Sequence, residues 1–301
     1  MKAITYEEFG GPEVLRLAEV TEPHAGPGQV RVKIVTAAVN PIDFRIRRGW
    51  NPHMAPKHFP AVPGVEAAGI VDELGEGVTG VLVGDEVMVW TETGAWAEYA
   101  LASDFALKPA GLDWETAAAL PVAFETSDRV LGALAVGQGE TLLIHGAASV
   151  VGSVGVQLAV ARGVTVIGTA SEANHDYLRS LGAIPVVYGD GLADRVRAVA
   201  PQGVDAVYDV AGIDALDVSM ELRGGTTDRI VTISDVRAFE VGIAFSADSR
   251  RFGPELSMYA RLVADGSMRV RVDQSFPLAD AAKANELSES GRPRGKLLLR
   301  P

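Results

Sequence analysis

Apolar and polar positions follow two different patterns along the chain. In the first third the apolar runs are short. Residues 31–39 partly alternate polar and apolar side chains, and 65–74, 86–89 and 96–100 read as further strands. Turn signals punctuate them: Gly10-Gly11-Pro12, Gly26-Pro27-Gly28, Pro63-Gly64, Gly75-Glu76-Gly77 and Gly84-Asp85. Short strands with frequent turns predict a barrel-like β domain. Beyond residue 112 helical signals begin. Asp113 is placed to cap a helix through Ala119 with Glu115 in its first turn, Pro121 interrupts it, and a second helix is predicted over 126–134. Strands at 141–145, 164–168, 185–187, 206–210 and 229–233 then alternate with helices at 153–161, 174–181, 192–200 and 216–222. That alternation predicts an α/β unit with a doubly wound parallel sheet. After a helix at 256–264 the tail returns to strand-like pieces at 269–272 and 296–299. The first domain is therefore expected to be discontinuous, 1–112 with 266–301, around a second domain at 113–265.

The stretch 140–171 is the most informative. An apolar run ending at His145 meets the small residues Gly146, Ala147, Ala148, Ser149 and Gly152; an amphipathic segment, Gly163 and a second β-branched run follow. Strand, tight turn, helix and strand make one βαβ unit. Small residues at such a turn let a pyrophosphate approach backbone N–H groups at a helix N-terminus, where the helix dipole favours an anion. The dinucleotide fingerprint G-x-G-x-x-G becomes Ala147-Ala148-Ser149-Val150-Val151-Gly152, which keeps only the glycine that allows close helix–strand packing. The expected pyrophosphate donors are the N–H groups of Val150 and Val151, with the Ser149 hydroxyl. A tight βα turn without a ligand explains the same hexamer when it is read alone. At the end of the second strand, an NAD-binding chain places a carboxylate for the ribose 2′-hydroxyl. Here the strand ends in Ala170-Ser171, with Glu172 one step beyond. The missing carboxylate permits a 2′-phosphate, with Ser171 as donor and Asn174 and Tyr188 nearby, so NADPH is expected over NADH.

Composition narrows the field. A net charge of −12 repels nucleic-acid phosphates, so no nucleic-acid partner is expected. The absence of Cys removes disulfides and thiolate metal sites. The first residues contain no signal-peptide core, and no uncharged apolar run approaches transmembrane length, so a cytoplasmic protein with no membrane partner is expected.

Seven segments, in order, resemble the zinc-independent quinone oxidoreductase branch of the medium-chain dehydrogenase/reductase superfamily. They are Gly10-Gly11-Pro12-Glu13-Val14-Leu15, Val39-Asn40-Pro41-Ile42-Asp43, Pro63-Gly64-Val65-Glu66-Ala67-Ala68-Gly69, Gly84-Asp85-Glu86-Val87, His145-Gly146-Ala147-Ala148, Val204-Asp205-Ala206-Val207-Tyr208-Asp209 and Arg294-Gly295-Lys296-Leu297. The resemblance covers nearly the whole chain. It implies a GroES-like β-barrel catalytic domain joined to a Rossmann cofactor domain that binds NADP(H). Zinc alcohol dehydrogenases of the superfamily ligate a catalytic metal through a Cys and a His. Those positions are Asn40 and Val65 here, and Glu66 alone is no site. The resemblance therefore implies hydride transfer without zinc, to a small apolar quinone or conjugated carbonyl whose developing charge delocalises. Such a reaction needs orientation, a hydrogen-bond donor and exclusion of water.

On this resemblance Asn40 donates to the acceptor oxygen and Asp43 orients its neighbours. An Asx turn beside Pro41, with Asp43 capping a short helix, accounts for the pair equally well. Thr126 follows Pro121 in a Pro-x-x-x-x-Thr segment that faces the nicotinamide in the family, and helix capping by Thr126 is compatible with that. Asp209, at the end of a strand near the nicotinamide, and Lys296 complete the expected cofactor contacts. Phe44, Trp50, Trp90, Phe124 and Phe245 are candidates to line an acceptor slot, although core packing explains any one of them. The family's Tyr residues after the Asn-x-x-Asp segment are missing from 44–51. His145 reads as a structural histidine, His53 and His58 as surface residues, and Arg45, Arg47 and Arg48 as a solvated basic face. Residues 241–245 read as an exposed edge strand, which predicts a homodimer. An enoyl-thioester reductase and a non-catalytic NADPH-binding sensor are the two other readings.

Overall fold

β-Branched runs in the N-terminal third form strands as their pattern predicts. The structure is a computed structural model that describes residues 1–50, 55–247 and 254–301. It divides into two units, Met1–Val122 with Arg251–Pro301, and Ala123–Arg250.

In the first unit, β1 (Lys2–Thr5) and β2 (Arg16–Glu19) pair antiparallel as a separate ribbon. β3 (Val30–Val39) runs into α1 (Pro41–Arg47). β4 (Glu66–Leu74), β5 (Glu86–Trp90), β6 (Tyr99–Ala102) and β7 (Asp104–Leu107) follow, then α2 (Trp114–Ala118). β3 organises a seven-stranded sheet, pairing antiparallel with both β4 and β6. Val32, Ile34, Val71, Val87, Val89 and Trp96 fill its core. Asp113 caps α2 as expected, accepting a 2.8 Å bond from the Thr116 amide.

The second unit begins within α3 (Pro121–Leu134). Pro121 does not interrupt a helix: it stands at the first helical position, where its missing N–H removes nothing. β8 (Thr141–His145), α4 (Val150–Ala161), β9 (Thr165–Thr169), α5 (His175–Ser180), β10 (Ile184–Val186), α6 (Leu192–Val199), β11 (Ala206–Asp209), α7 (Leu216–Leu222), β12 (Ile230–Thr232), α8 (Ala238–Val241) and β13 (Ala244–Phe245) follow. Their six strands are parallel in the order β10-β9-β8-β11-β12-β13. This is the doubly wound sheet of the dinucleotide-binding folds, whose order reverses between β8 and β11. The sheet is buried on both faces, which explains why its strands read as unbroken apolar runs.

The chain then returns to the first unit through α9 (Pro254–Ala264), β14 (Val272–Pro277), α10 (Ala281–Glu289) and β15 (Lys296–Arg300). β14 starts where the strand expected at 269–272 ends, and α10 lies in a tail that reads as strand-like. The helix is short and buries small and polar residues, Ala281, Ala284 and Asn285, so its periodicity is faint. β15 slots between β14 and β3, with Leu297 opposite Val39.

Candidate active site

Two strands deliver side chains to the end of β3. The register Leu297–Val39 brings Lys296 beside Asn40, and the pairing of Ala67 with Ala37 brings Glu66 close by. Asn40 caps α1, with Pro41 at its first position. Its backbone N–H donates to Asp43 Oδ2 at 2.7 Å, so the capping role read for Asp43 is present. The Asn40 side chain also bonds across the sheet. Its Nδ2 donates to Glu66 Oε1 at 2.8 Å, and its Oδ1 accepts from Lys296 Nζ at 2.7 Å. Lys296 also donates to Glu66 Oε1 at 2.7 Å, and Glu66 Oε2 accepts from the Val122 amide at 2.7 Å. All four side chains are buried, Glu66 completely. Asp43 Oδ1 has no hydrogen-bond partner. Burial pushes the Asp43 carboxyl up to about 7; the Asn40 N–H and Lys296 pull against this, and Glu66 adds to it.

Lys296 is thus a buried partner of Asn40 and Glu66. Trp50 is exposed and packs edge-on against half-buried Phe44. Trp90 ends β5 half-buried. Arg47 corrects the reading of a solvated basic face: it is 1% exposed and donates to Asn285 Oδ1, the Gly10 carbonyl and Glu289. Contacts 238 residues apart leave no trace in local periodicity. His53 lies outside the described residues.

The second unit presents mostly backbone. At the switch point His145 ends β8 opposite Asp209 at the end of β11. Gly146 leaves the strand with φ +70°, and Ser149 caps α4, its Oγ accepting from the Gly152 amide at 3.0 Å. The hydroxyl hydrogen stays free to donate. Val150 and Val151 lie in the first turn, where no intrahelical acceptor exists. A Cβ on Gly152 would stand 2.4 Å from the Gly146 carbonyl oxygen, so this glycine alone keeps the turn against the helix. Ala147 is buried, and its N–H is used by the Thr169 carbonyl. The turn therefore fits a pyrophosphate at Ser149, Val150 and Val151. Asn174 donates to Ser171 Oγ at 3.2 Å, and Tyr188 is exposed. Asp209 is fully occupied, accepting from the Gly212 amide at 3.0 Å and from Thr232 Oγ1 at 2.6 Å. His145 is structural, as read: Ser219 gives its hydroxyl hydrogen to the Ala215 carbonyl, so His145 Nε2 donates to Ser219 Oγ across 3.0 Å. Burial pulls this imidazole down to about 4. Thr126 and Phe124 are buried on α3, and Phe245 stacks on exposed Phe239.

Residues 26–109 match the alcohol dehydrogenase GroES-like domain, and 181–299 match the zinc-binding dehydrogenase domain. The chain is 31% identical to the quinone oxidoreductase of Rattus norvegicus, over 99% of this chain and 97% of the relative. The chain belongs to the quinone oxidoreductase branch of the medium-chain dehydrogenase/reductase superfamily. The chloroplastic NADPH-dependent alkenal/one oxidoreductase of Arabidopsis thaliana is 31% identical over 100% of this chain and 80% of its own. The structure of the quinone oxidoreductase from Coxiella burnetii superposes with a TM-score of 0.90 at 33% identity, covering 100% of this chain and 99% of that one. The zinc named in the second family match does not fit the residues of this branch member. Val65 has no donor atom, both Glu66 oxygens are engaged, and the Lys296 ammonium repels a cation. Among the described residues no group of three His, Cys, Asp or Glu side chains is placed to hold a metal.

Proposed function

We propose that the protein is an NADPH-dependent oxidoreductase that reduces quinones or activated enones without a metal ion. One observation carries this reading. The buried Asn40 amide is held between Glu66 and Lys296, at the position that the family resemblance matches to a metal-ligating Cys in zinc enzymes of the superfamily. NADPH supplies the hydride. Ser149, Val150 and Val151 bind its pyrophosphate, and Gly152 lets the turn close on the helix. Ala170 leaves room for a 2′-phosphate, toward which Ser171 donates while accepting from Asn174. Asn40 donates to the acceptor oxygen as charge develops there. A conjugated acceptor spreads that charge, so a neutral donor suffices where a simple ketone demands a Lewis acid. The full-length similarity to quinone and alkenal/one oxidoreductases supports the substrate class.

The protein is proposed to act in the cytoplasm, and among the described residues no helix is long and apolar enough to cross a membrane. A homodimer is part of the reading. β13 closes one edge of the parallel sheet, with Ala244 exposed and Phe239 72% exposed beside it. A monomer mass by light scattering would remove the dimer.

A panel of 1,4-benzoquinone, 1,4-naphthoquinone, an alkenal and an enoyl thioester, assayed anaerobically with NADPH and NADH, tests the function. Oxidation of NADPH by the quinones or the alkenal is expected. Turnover of the thioester alone, or of none, overturns the reading. Asn40→Ala is expected to lower kcat by about tenfold or more with folding intact.

A further inference from the structure

Asn40, Glu66 and Lys296 form a closed ring of three hydrogen bonds: Lys296 Nζ to Asn40 Oδ1 at 2.7 Å, Lys296 Nζ to Glu66 Oε1 at 2.7 Å, and Asn40 Nδ2 to Glu66 Oε1 at 2.8 Å. An isolated asparagine amide can turn over, exchanging a donor for an acceptor at the same point in space. In this ring it cannot. The flipped amide sets its NH2 against an ammonium and its oxygen against a carboxylate, two repulsive contacts inside a buried cluster where electrostatics are strong. The ring turns the amide oxygen to the ammonium and engages one of the two Nδ2 hydrogens, leaving the second N–H to donate.

Glu66 is held in turn. Its second oxygen takes the Val122 amide at 2.7 Å, so the carboxylate cannot rotate away from Asn40. Lys296 sits at the start of β15 and Glu66 at the start of β4, strands that flank β3. The backbone ladder therefore sets the position of both charges. The Lys296–Glu66 pair is internally neutral and sets the polarity of Asn40 without adding net charge to the cluster.

We infer that Lys296 and Glu66 are positioning residues which lock the Asn40 amide in its donor orientation, so that Asn40 presents an N–H, and never its oxygen, to the acceptor carbonyl. The inference rests on the proposed role of Asn40 as that donor. It gives Lys296 a task at the acceptor rather than at the cofactor. It also makes the site selective for acceptors with a hydrogen-bond-accepting oxygen.

The test uses the double variant Lys296→Met/Glu66→Gln, which removes both buried charges together and avoids leaving either one unpaired. It is made in the wild-type background and in Asn40→Ala, with kcat and KM for 1,4-benzoquinone and the dissociation constant of NADPH read in each. A loss of about tenfold in kcat is expected in the wild-type background, with NADPH affinity held within about twofold. In the Asn40→Ala background the same two changes are expected to cost nothing more, because the group they orient is gone. An equal kcat loss in both backgrounds overturns the inference and leaves the role of Asn40 standing. Weaker NADPH binding with unchanged kcat also overturns it, returning Lys296 to the cofactor. If Asn40→Ala alone keeps wild-type kcat, the functional reading itself fails, an outcome distinct from the other two.

Discussion

The two units each gather polar groups at the end of a buried sheet, and they use opposite materials. In the first unit the groups are side chains, two of them charged, drawn from residues 40, 66 and 296 and buried together. In the second they are backbone amides of one turn, exposed by small residues and a helix start within 146–152. The difference separates what each site depends on. The first is a balance of buried charges, sensitive to the loss of any partner. The second is a shape, sensitive to an added carbon atom and indifferent to protons.

Lys296→Met should break the first site hardest. It strands the Glu66 carboxylate in a fully buried position, and removing one partner of a buried ion pair costs about 3–5 kcal/mol. Urea unfolding at neutral pH measures it. Adding Glu66→Gln should recover most of the loss, because no unpaired charge remains. A cost for Lys296→Met below about 1 kcal/mol, the level of an exposed pair, removes the contrast between the units.

The same contrast decides what was legible in the sequence. The βαβ turn lies within a dozen residues, so its strand–turn–helix order and its packing glycine were visible even with two of the fingerprint glycines replaced, whereas the Ser149 cap was missed because the helix was expected only from 153. The alternation of 141–233 likewise set out the parallel sheet almost strand for strand. The ring of Asn40, Glu66 and Lys296 was not visible as a ring. Its members lie 26 and 230–256 residues apart, and only the pairing of β15 and β4 around β3 unites them. The Arg-Gly-Lys tail pointed to a lysine at the cofactor, and nothing in the sequence placed Lys296 beside Asn40 and Glu66. Arg47 misled for the same reason, since two of its acceptors, Asn285 and Glu289, are on α10, a helix whose Ala-rich face has little periodicity.

Acidity sharpens the comparison, because the units bury titratable groups of opposite sign. Asp43 has its carboxyl raised from 3.8 to about 7, chiefly by burial. The unfolded chain releases this proton near pH 4 while the folded chain keeps it to about 7, so the stability present below pH 4 is lost as pH rises through that window. The loss is at most about 4 kcal/mol. Asp43→Asn keeps an oxygen for the Asn40 amide and removes the slope. Its advantage over the wild type should therefore grow from pH 4 to 7 and level off above, as read by unfolding at several pH values.

His145 predicts the reverse and a smaller amplitude. Burial lowers its imidazole from 6.5 to about 4, so its stability is present above pH 6.5 and is lost as pH falls toward 4, by at most about 3 kcal/mol. His145→Gln retains an N–H for Ser219 and should flatten that limb. The two slopes oppose each other in the wild type between pH 4 and 6.5, and each variant uncovers the other. A wild type and a His145→Gln variant with parallel pH profiles would show that this imidazole is not held neutral by the fold.

Ser149→Ala gives the smallest effect and isolates the backbone cradle. The Gly152 amide loses its cap, worth about 1 kcal/mol, while the free amides of the first turn remain. No charge is touched, so the loss in unfolding free energy should be the same at pH 5 and pH 8, unlike that of either titrating variant. NADPH affinity should fall by about fivefold from the missing hydroxyl donor, with kcat unchanged once the cofactor is saturating. Ser149→Gly, which the turn accommodates, should cost only a few tenths of a kcal/mol in stability while losing the same affinity. A pH-dependent penalty for Ser149→Ala would mean that the cradle, too, depends on charge. The cradle would then have to be counted among the molecule's electrostatic sites and not as a shape.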